Sequence, residues 1–258
     1  MAKIVAVANQ KGGVGKTTTA INLSACLAHL GKKVLLIDLD PQGNSTTGLG
    51  IDKRTTAASI YDAIINEMPI KDIMFESVQK NMYICPSSMN LAGAEVELVN
   101  QISRESRLEE ALENAKTEFD YITIDCPPSL GLLTLNALTA ADTVLVPIQC
   151  EYFALEGLSQ LMDTIKIVQK RLNPKLSVEG VVLTMFDSRT NLSVEVAEEV
   201  RRHFTNRVYQ TLIPRNVKLS EAPSYGLPII MYDSVSKGAK AYLALAEEFI
   251  KVSEKSKD

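Results

Sequence analysis

A chain of 258 residues, 46% apolar and 22% charged, is long enough to bury a substantial core. Its 31 acidic side chains outnumber 27 basic ones, giving a net charge of −4, so there is no global positive field for DNA or anionic lipid and any such surface has to be a local patch. Four cysteines with no C-x-x-C pair, and only two histidines, argue against a zinc site or disulfide framework and point to buried thiols in a reducing cytosol.

The first apolar run, 3–8, reads as a strand. It begins without the arrangement of a signal peptide, so a cytoplasmic chain is expected. It leads into Asn9-Gln10-Lys11-Gly12-Gly13-Val14-Gly15-Lys16-Thr17-Thr18, and the stretch 16–30 reads as the helix that follows. The end of this segment looks like the close of a phosphate-binding loop, G-x-x-x-x-G-K-[ST]. The first glycine of that pattern falls on Gln10, however, and Lys11 adds a second positive charge inside the loop. Glycines let backbone N–H groups face a phosphate, and the helix N-terminus adds partial positive charge. Lys16 can reach the β- and γ-phosphates, and the Thr17 hydroxyl can ligate Mg²⁺.

A second strand, 33–38, ends in Asp38, with Asp40 two residues on and a turn at Pro41-Gln42-Gly43. A carboxylate there can orient an attacking water or hold a Mg²⁺ shell, and the turn suits a loop that rearranges on hydrolysis. A helix at 59–66, a strand at 82–85 and a helix at 104–118 follow. The strand 121–125 then ends in Asp125 before the rigid Cys126-Pro127-Pro128 turn, the Walker B arrangement of a metal-supporting carboxylate. Beyond it the pattern predicts helices at 129–140, 155–172, 192–204 and 237–253, and strands at 143–148, 178–186, 208–213 and 228–231. Residues 253–258 read as a frayed polar tail.

This alternation predicts an α/β fold: a mostly parallel twisted sheet with helices on both faces, built from right-handed crossovers. Scarce aromatics leave Ala, Val, Ile and Leu to fill the core, as in a buried parallel sheet. In such sheets the ligand sits at the carboxyl ends of the strands, where the three motifs converge. No repeat or long linker divides the chain, so a single domain over 1–258 is expected. No uncharged apolar run reaches membrane-spanning length.

Together these motifs resemble the deviant Walker A ATPases of the ParA/MinD family, P-loop NTPases with an altered Walker A motif. The resemblance lies in KGGVGKT at 11–17, DLDPQGN at 38–44 and DCPPSLG at 125–131. It continues in VPIQCEYFALEGL at 146–158, LTMFDSRTNLS at 183–193 and IPRNVKLSEAPSYGLPI at 213–229, covering nearly the whole chain. It is strongest to the small chromosomal ParA proteins of the Soj type.

The resemblance implies ATP hydrolysis with Mg²⁺ and a set of residue roles. Lys11 is the signature lysine that reaches across a dimer interface to the partner's nucleotide phosphates, and Gly12 lies where two loops meet face to face. Gly12, Gly13, Val14, Gly15, Lys16, Thr17 and Thr18 bind the nucleotide, while Lys11, Lys16 and Asp40 serve catalysis, Asp40 by positioning water. Thr17, Asp40 and Asp125 support the metal, and Pro214, Arg215 and Asn216 border the adenine. Arg189 and Lys218 face DNA, with Arg201, Arg202, Arg207 and Arg215 as further basic candidates. The implied partners are nonspecific nucleoid DNA, a second copy in an ATP-dependent homodimer and a ParB-type centromere-binding protein. A replication initiator is a further implied partner, alongside the segregation role.

Two other readings stay in view. A MinD-like membrane regulator needs a C-terminal basic amphipathic helix, which ALAEEFIKVSEKSKD does not build beyond the last helix. An ATP-dependent carrier or reductase subunit uses paired cysteines at a dimer interface, and Cys126 and Cys150 form no such pair in sequence. Gln10 has no assigned role.

Overall fold

The structure, a computed structural model, describes residues 1–152, 158–205 and 207–255. Short, mostly apolar runs become β1 (Lys3–Val7), β2 (Val34–Asp38), β4 (Met82–Cys85), β5 (Tyr121–Asp125), β6 (Thr143–Gln149) and β7 (Ser177–Thr184), and the two residues Phe75–Glu76 add β3. They form a sheet in the order β3-β4-β2-β5-β1-β6-β7, parallel throughout except for β3, which runs antiparallel to β4. Every residue of β2 and β5 is buried, because helices cover both faces of the sheet at its centre.

The helices are α1 (Lys16–His29), α2 (Asn44–Gly48), α3 (Ile60–Asn66), α4 (Ile70–Ile73), α5 (Leu91–Leu98), α6 (Arg107–Leu112), α7 (Leu132–Ala140), α8 (Leu158–Arg171), α9 (Asn191–His203), α10 (Val217–Glu221), α11 (Ile229–Tyr232) and α12 (Lys237–Lys255). The pleat sorts alternate strand residues into two cores. Ile4, Ala6, Leu35, Ile37, Ile122 and Ile124 face one layer, which includes α3, α7, α8 and α9. Val5, Val7, Val34 and Leu36 face the other, formed chiefly by α1 and α12. On α8, Leu158, Leu161, Ile165 and Val168 are buried, a helical stripe turned to the sheet.

Register decides the function of the upper edge. Val7 pairs with Asp125 across β1 and β5, and Asp38 pairs with Asp125 across β2 and β5. The three motif-bearing strands therefore end side by side. At the opposite edge the Lys3 ammonium bridges Glu179 at 2.7 Å and donates to Ser253 Oγ at 3.0 Å. Phe249 of α12 is fully buried there, edge-on to Tyr121 and stacked on Tyr209, with the Lys3 ammonium 5.4 Å from its ring.

Several sequence expectations change. The segment 208–213 is not a strand. Tyr209 N–H and Arg207 C=O bond Val181, but the next two N–H groups, of Gln210 and Thr211, donate to Glu248 of α12 and draw the chain off the ladder. The segment 228–231 is mostly helical, because Pro228 caps α11 and the Ile229 N–H donates to Asn22 of α1. The helix expected over 104–118 divides into α6 and a 3₁₀ turn at Ala115–Thr117. Of the helix expected over 155–172, residues 155–157 lie outside the described residues. The C-terminal helix continues to Lys255, with Ser253 buried, so the expected polar tail begins as helix; residues 256–258 lie outside the described residues.

Because Phe249 fills a fully enclosed position between two tyrosines, Phe249→Ala should destabilise the chain by about 3–5 kcal/mol in urea unfolding. A loss under about 1 kcal/mol would mean that α12 is not held by this cluster.

Candidate active site

The chain leaves β1 on two moorings. Ala8 N–H donates to Leu145 C=O at 3.1 Å, and the buried Asn9 donates through Nδ2 to Pro147 C=O at 2.8 Å. Asn9 Oδ1 then accepts the Lys11 N–H at 3.0 Å, which shapes the start of the loop. Gly13 and Gly15 take left-handed φ values of 75° and 89°. The Thr184 hydroxyl, at the end of β7, donates to the Val14 carbonyl at 2.8 Å and ties the loop to the sheet. Gly15 starts α1 without any side-chain cap, so the first N–H groups of a 14-residue helix are free to face an anion.

The Lys16 ammonium lies inside this loop and donates to the Lys11 carbonyl at 3.1 Å. Burial lowers its pKa, while the charges of Asp125, Cys126 and Asp40 oppose that shift. By contrast, no hydrogen bond or ion pair engages the Lys11 ammonium among the described residues. Gln10 is half-buried, and its Oε1 is buried without a partner.

Asp38 and Asp125 are both fully buried, and burial raises the pKa of each carboxyl. The Asp38 charge raises Asp125 further. Hydroxyl groups from α2 offset this. Ser45 Oγ donates to Asp125 Oδ2 at 2.8 Å, and Thr46 donates to Asp38 Oδ2 through both Oγ1, at 2.6 Å, and its backbone N–H, at 2.7 Å. The Thr17 hydroxyl also favours the charged form of Asp125, yet Asp125 Oδ1 accepts no hydrogen bond of normal geometry. A buried, orphaned carboxylate oxygen beside the Thr17 hydroxyl, with oxygen donors only, fits a hard cation such as Mg²⁺. Asp40 stands beyond β2. Its Oδ1 accepts the Gln42 N–H at 2.9 Å, and its carbonyl accepts the Ser87 hydroxyl at 2.7 Å. Asp40 is also among the charges felt by Lys16 and by Asp125.

A cleft of about 390 Å³ opens beside the loop. Gly15 and Thr18 line one side, and Pro214, Arg215 and Asn216 line the other. The far wall is brought in by backbone bonds from Phe186 N–H to Ile213 C=O and from Arg215 N–H to Phe186 C=O. Asn216 caps α10 by accepting the Lys218 N–H at 3.0 Å. The same Phe186–Pro214 bridge joins the segment that leads to Arg189 to the one that leads into α10, which bears Lys218. Both side chains are exposed and already paired: Arg189 with Asp187 through Nε at 2.8 Å and Nη2 at 2.6 Å, Lys218 with Glu221 at 2.8 Å. Arg201, Arg202 and Arg207 are exposed, the first two on α9.

The structure thus brings together Lys16, Thr17, Asp40, Asp125 and the 214–216 wall. Sequence reasoning missed Ser45, Thr46 and Ser87. The hydroxyl run Ser45-Thr46-Thr47 was a signal, being unusual for a helix with no other task. The four cysteines are buried and free. Burial pushes the Cys26 thiol up to about 12 and Cys150 to about 11, and also raises Cys85 and Cys126. These are packing thiols rather than reactive ones, which counts against reductase chemistry.

A family model described as an AAA domain matches residues 2–178. The sporulation initiation inhibitor protein Soj of Bacillus subtilis (strain 168) is 59% identical over 248 residues, 96% of this chain and 98% of the relative. The chromosome partitioning protein ParA of Myxococcus xanthus is 56% identical over 96% of this chain and 88% of its own. The chain belongs to the ParA/MinD family of deviant Walker A ATPases, on its Soj branch. Among solved structures, cobyrinic acid a,c-diamide synthase from Mycobacterium smegmatis with bound ADP and magnesium superposes with a TM-score of 0.88 at 38% identity, covering 99% of this chain and 97% of that one. Among the described residues of this ATPase, no helix is long and apolar enough to cross a membrane.

In this chain the charged forms of the buried Asp38 and Asp125 carboxyls oppose folding unless their charge is answered. With both pKa values raised, the folded chain binds these protons more tightly than the unfolded chain. Stability is fully present below the ordinary carboxylate range and falls as pH rises through the raised values. Without nucleotide, Asp125→Asn should therefore melt higher than the parent at about pH 8, with the gain shrinking at about pH 4. A variant that melts lower than the parent at the higher pH would contradict this electrostatic reading.

Proposed function

We propose that the chain is a DNA-partition switch whose ATP-bound dimer binds DNA without sequence preference. A ParB-type centromere-binding partner stimulates hydrolysis, and the ADP form lets go. The names of the relatives support this reading: a chromosome partitioning protein and Soj stand at 56% and 59% identity. The whole chain acts as one ATPase domain on the nucleoid, with chromosome segregation as the output and replication initiation as a second point of control.

The observation that carries the dimer is the pair Lys11–Gly12. Gly12 has no left-handed φ, it is exposed, and a Cβ built on it meets nothing within 4 Å. One chain alone does not need glycine there, whereas a second body closing on the loop does. Lys11 beside it carries an ammonium that no described residue engages. Both facts fit a loop that completes the partner's site, with Lys11 acting on developing phosphate charge as an arginine finger does.

The remaining roles follow from position. Residues 12–18 and Lys16 hold the phosphates on free N–H groups and one ammonium. Thr17, Asp40 and Asp125 hold Mg²⁺, which, when bound, neutralises charge between the phosphates. Asp40 orients the attacking water from the carboxylate oxygen that Gln42 does not take. Pro214, Arg215 and Asn216 border the adenine. Arg189 and Lys218 exchange their carboxylate partners for DNA phosphates, so binding falls with salt. In a dimer each basic residue occurs twice, which answers the acidic bulk charge.

Retention on a DNA-coated surface with Mg²⁺ tests the switch. ATP should retain the chain about tenfold better than ADP, and equal retention would overturn the reading. Arg189→Glu should lose about tenfold in retention while ATP-dependent dimerisation, followed by sedimentation, persists. Undiminished DNA binding by that variant would remove Arg189 from the interface.

A further inference from the structure

We propose that Ser87 is a positioning residue for ATP hydrolysis: it holds Asp40 where the attacking water is oriented. This inference rests on the reading of Asp40 above. Ser87 follows β4, whose register against β2 runs to the Ile37–Cys85 pair. It is fully buried and reaches both ends of the 40–46 loop. Its hydroxyl donates to the Asp40 carbonyl at 2.7 Å, and its N–H donates to Thr46 Oγ1 at 2.9 Å. Thr46 Oγ1 in turn donates to Asp38. One residue of β4's extension thus clasps the start of the loop and the helix that ends it.

Asp40 has few other anchors. Its N–H reaches Asp38 Oδ1 only at 3.3 Å. Its Oδ1 is held by the Gln42 N–H and its carbonyl also by the Gly43 N–H at 2.8 Å, both within the loop itself. Among the described residues, Ser87 is the only residue outside the 38–46 segment that holds Asp40 by a hydrogen bond. A bond at a site closed to water is strong and directional, because water does not compete for it. Loss of the hydroxyl removes the one outside tie at Asp40 itself, while the Thr46–Asp38, Ser45–Asp125 and Ser87 N–H bonds still hold the far end of the loop. The phosphate cradle at 11–18 makes no bond to Ser87, so nucleotide binding does not depend on it.

The test compares Ser87→Ala with the parent chain, with Mg²⁺ and ATP, over a full substrate titration. The turnover number should fall about tenfold or more, with KM and affinity for a fluorescent non-hydrolysable ATP analogue unchanged within about twofold. Ser88→Ala removes the neighbouring hydroxyl, which bonds Ser59 instead of the loop, and should turn over at the parental rate. Parental turnover by Ser87→Ala, or a matching loss of turnover and analogue affinity, would overturn the proposal. Asp40→Ala separates the two claims. If it is inactive while Ser87→Ala is active, only Ser87 loses its role. If Asp40→Ala still hydrolyses ATP at the parental rate, the reading of Asp40 fails and the Ser87 proposal with it.

Discussion

The in-register pairing of β1, β5 and β2 is the constraint on which the rest depends. It sets Val7, Asp125 and Asp38 abreast at one edge of the sheet. Two carboxylates are thereby forced together in a site closed to water, which is costly unless their charge is answered. Much of the surrounding structure answers it. Ser45 and Thr46 donate hydroxyls, α1 presents its N-terminus, and Lys16 lies within reach of Asp125 and Asp40. A cation bound at Asp125 would complete the balance.

Against that frame of buried charge, the altered loop makes physical sense. The ordinary pattern's first glycine has become Gln10, whose Oε1 is buried without a partner, and Lys11 adds a second, half-buried charge to the loop. Lys16 points inward to the Lys11 carbonyl, while no described residue engages the half-buried Lys11 ammonium, so the two lysines are differently employed in one loop. A single-chain nucleotide pocket requires only the first. Gly12, which the chain's own geometry does not demand, stands between them.

Legibility followed range. β1, β2, β4 and β5 were visible because buried parallel strands are nearly continuous apolar runs, and two of them end in the buried carboxylates Asp38 and Asp125. Residues 208–213 also carry β-formers, but Glu248, nearly forty residues away, takes the Gln210 and Thr211 N–H groups. No local pattern carries that competition. The short helices α2, α5 and α10 were hidden for a similar reason: they are set by tertiary contacts and by Asn216 as a cap, rather than by propensity. Lys16, Thr17 and Asp125 were legible from their places in motifs. Ser45, Thr46 and Ser87 act through partners far away in sequence, and a serine looks the same whether it holds an aspartate or faces solvent. The pairing of Arg189 with Asp187 and of Lys218 with Glu221 also needed the fold.

The central claim is that Lys11 serves the neighbouring subunit's ATP, and mixing two inactive variants tests it most directly. Lys11→Ala keeps its own Asp40 but gives no lysine to its partner; Asp40→Ala gives the lysine but cannot orient water. In a mixed dimer the first subunit's site receives Lys11 from the second. ATP hydrolysis should therefore reappear on mixing, towards about half the dimers carrying one competent site at equal concentrations and random assortment. A mixture as inactive as either variant alone, with mixed dimers shown to form, would place Lys11 in its own subunit's site and contradict the account.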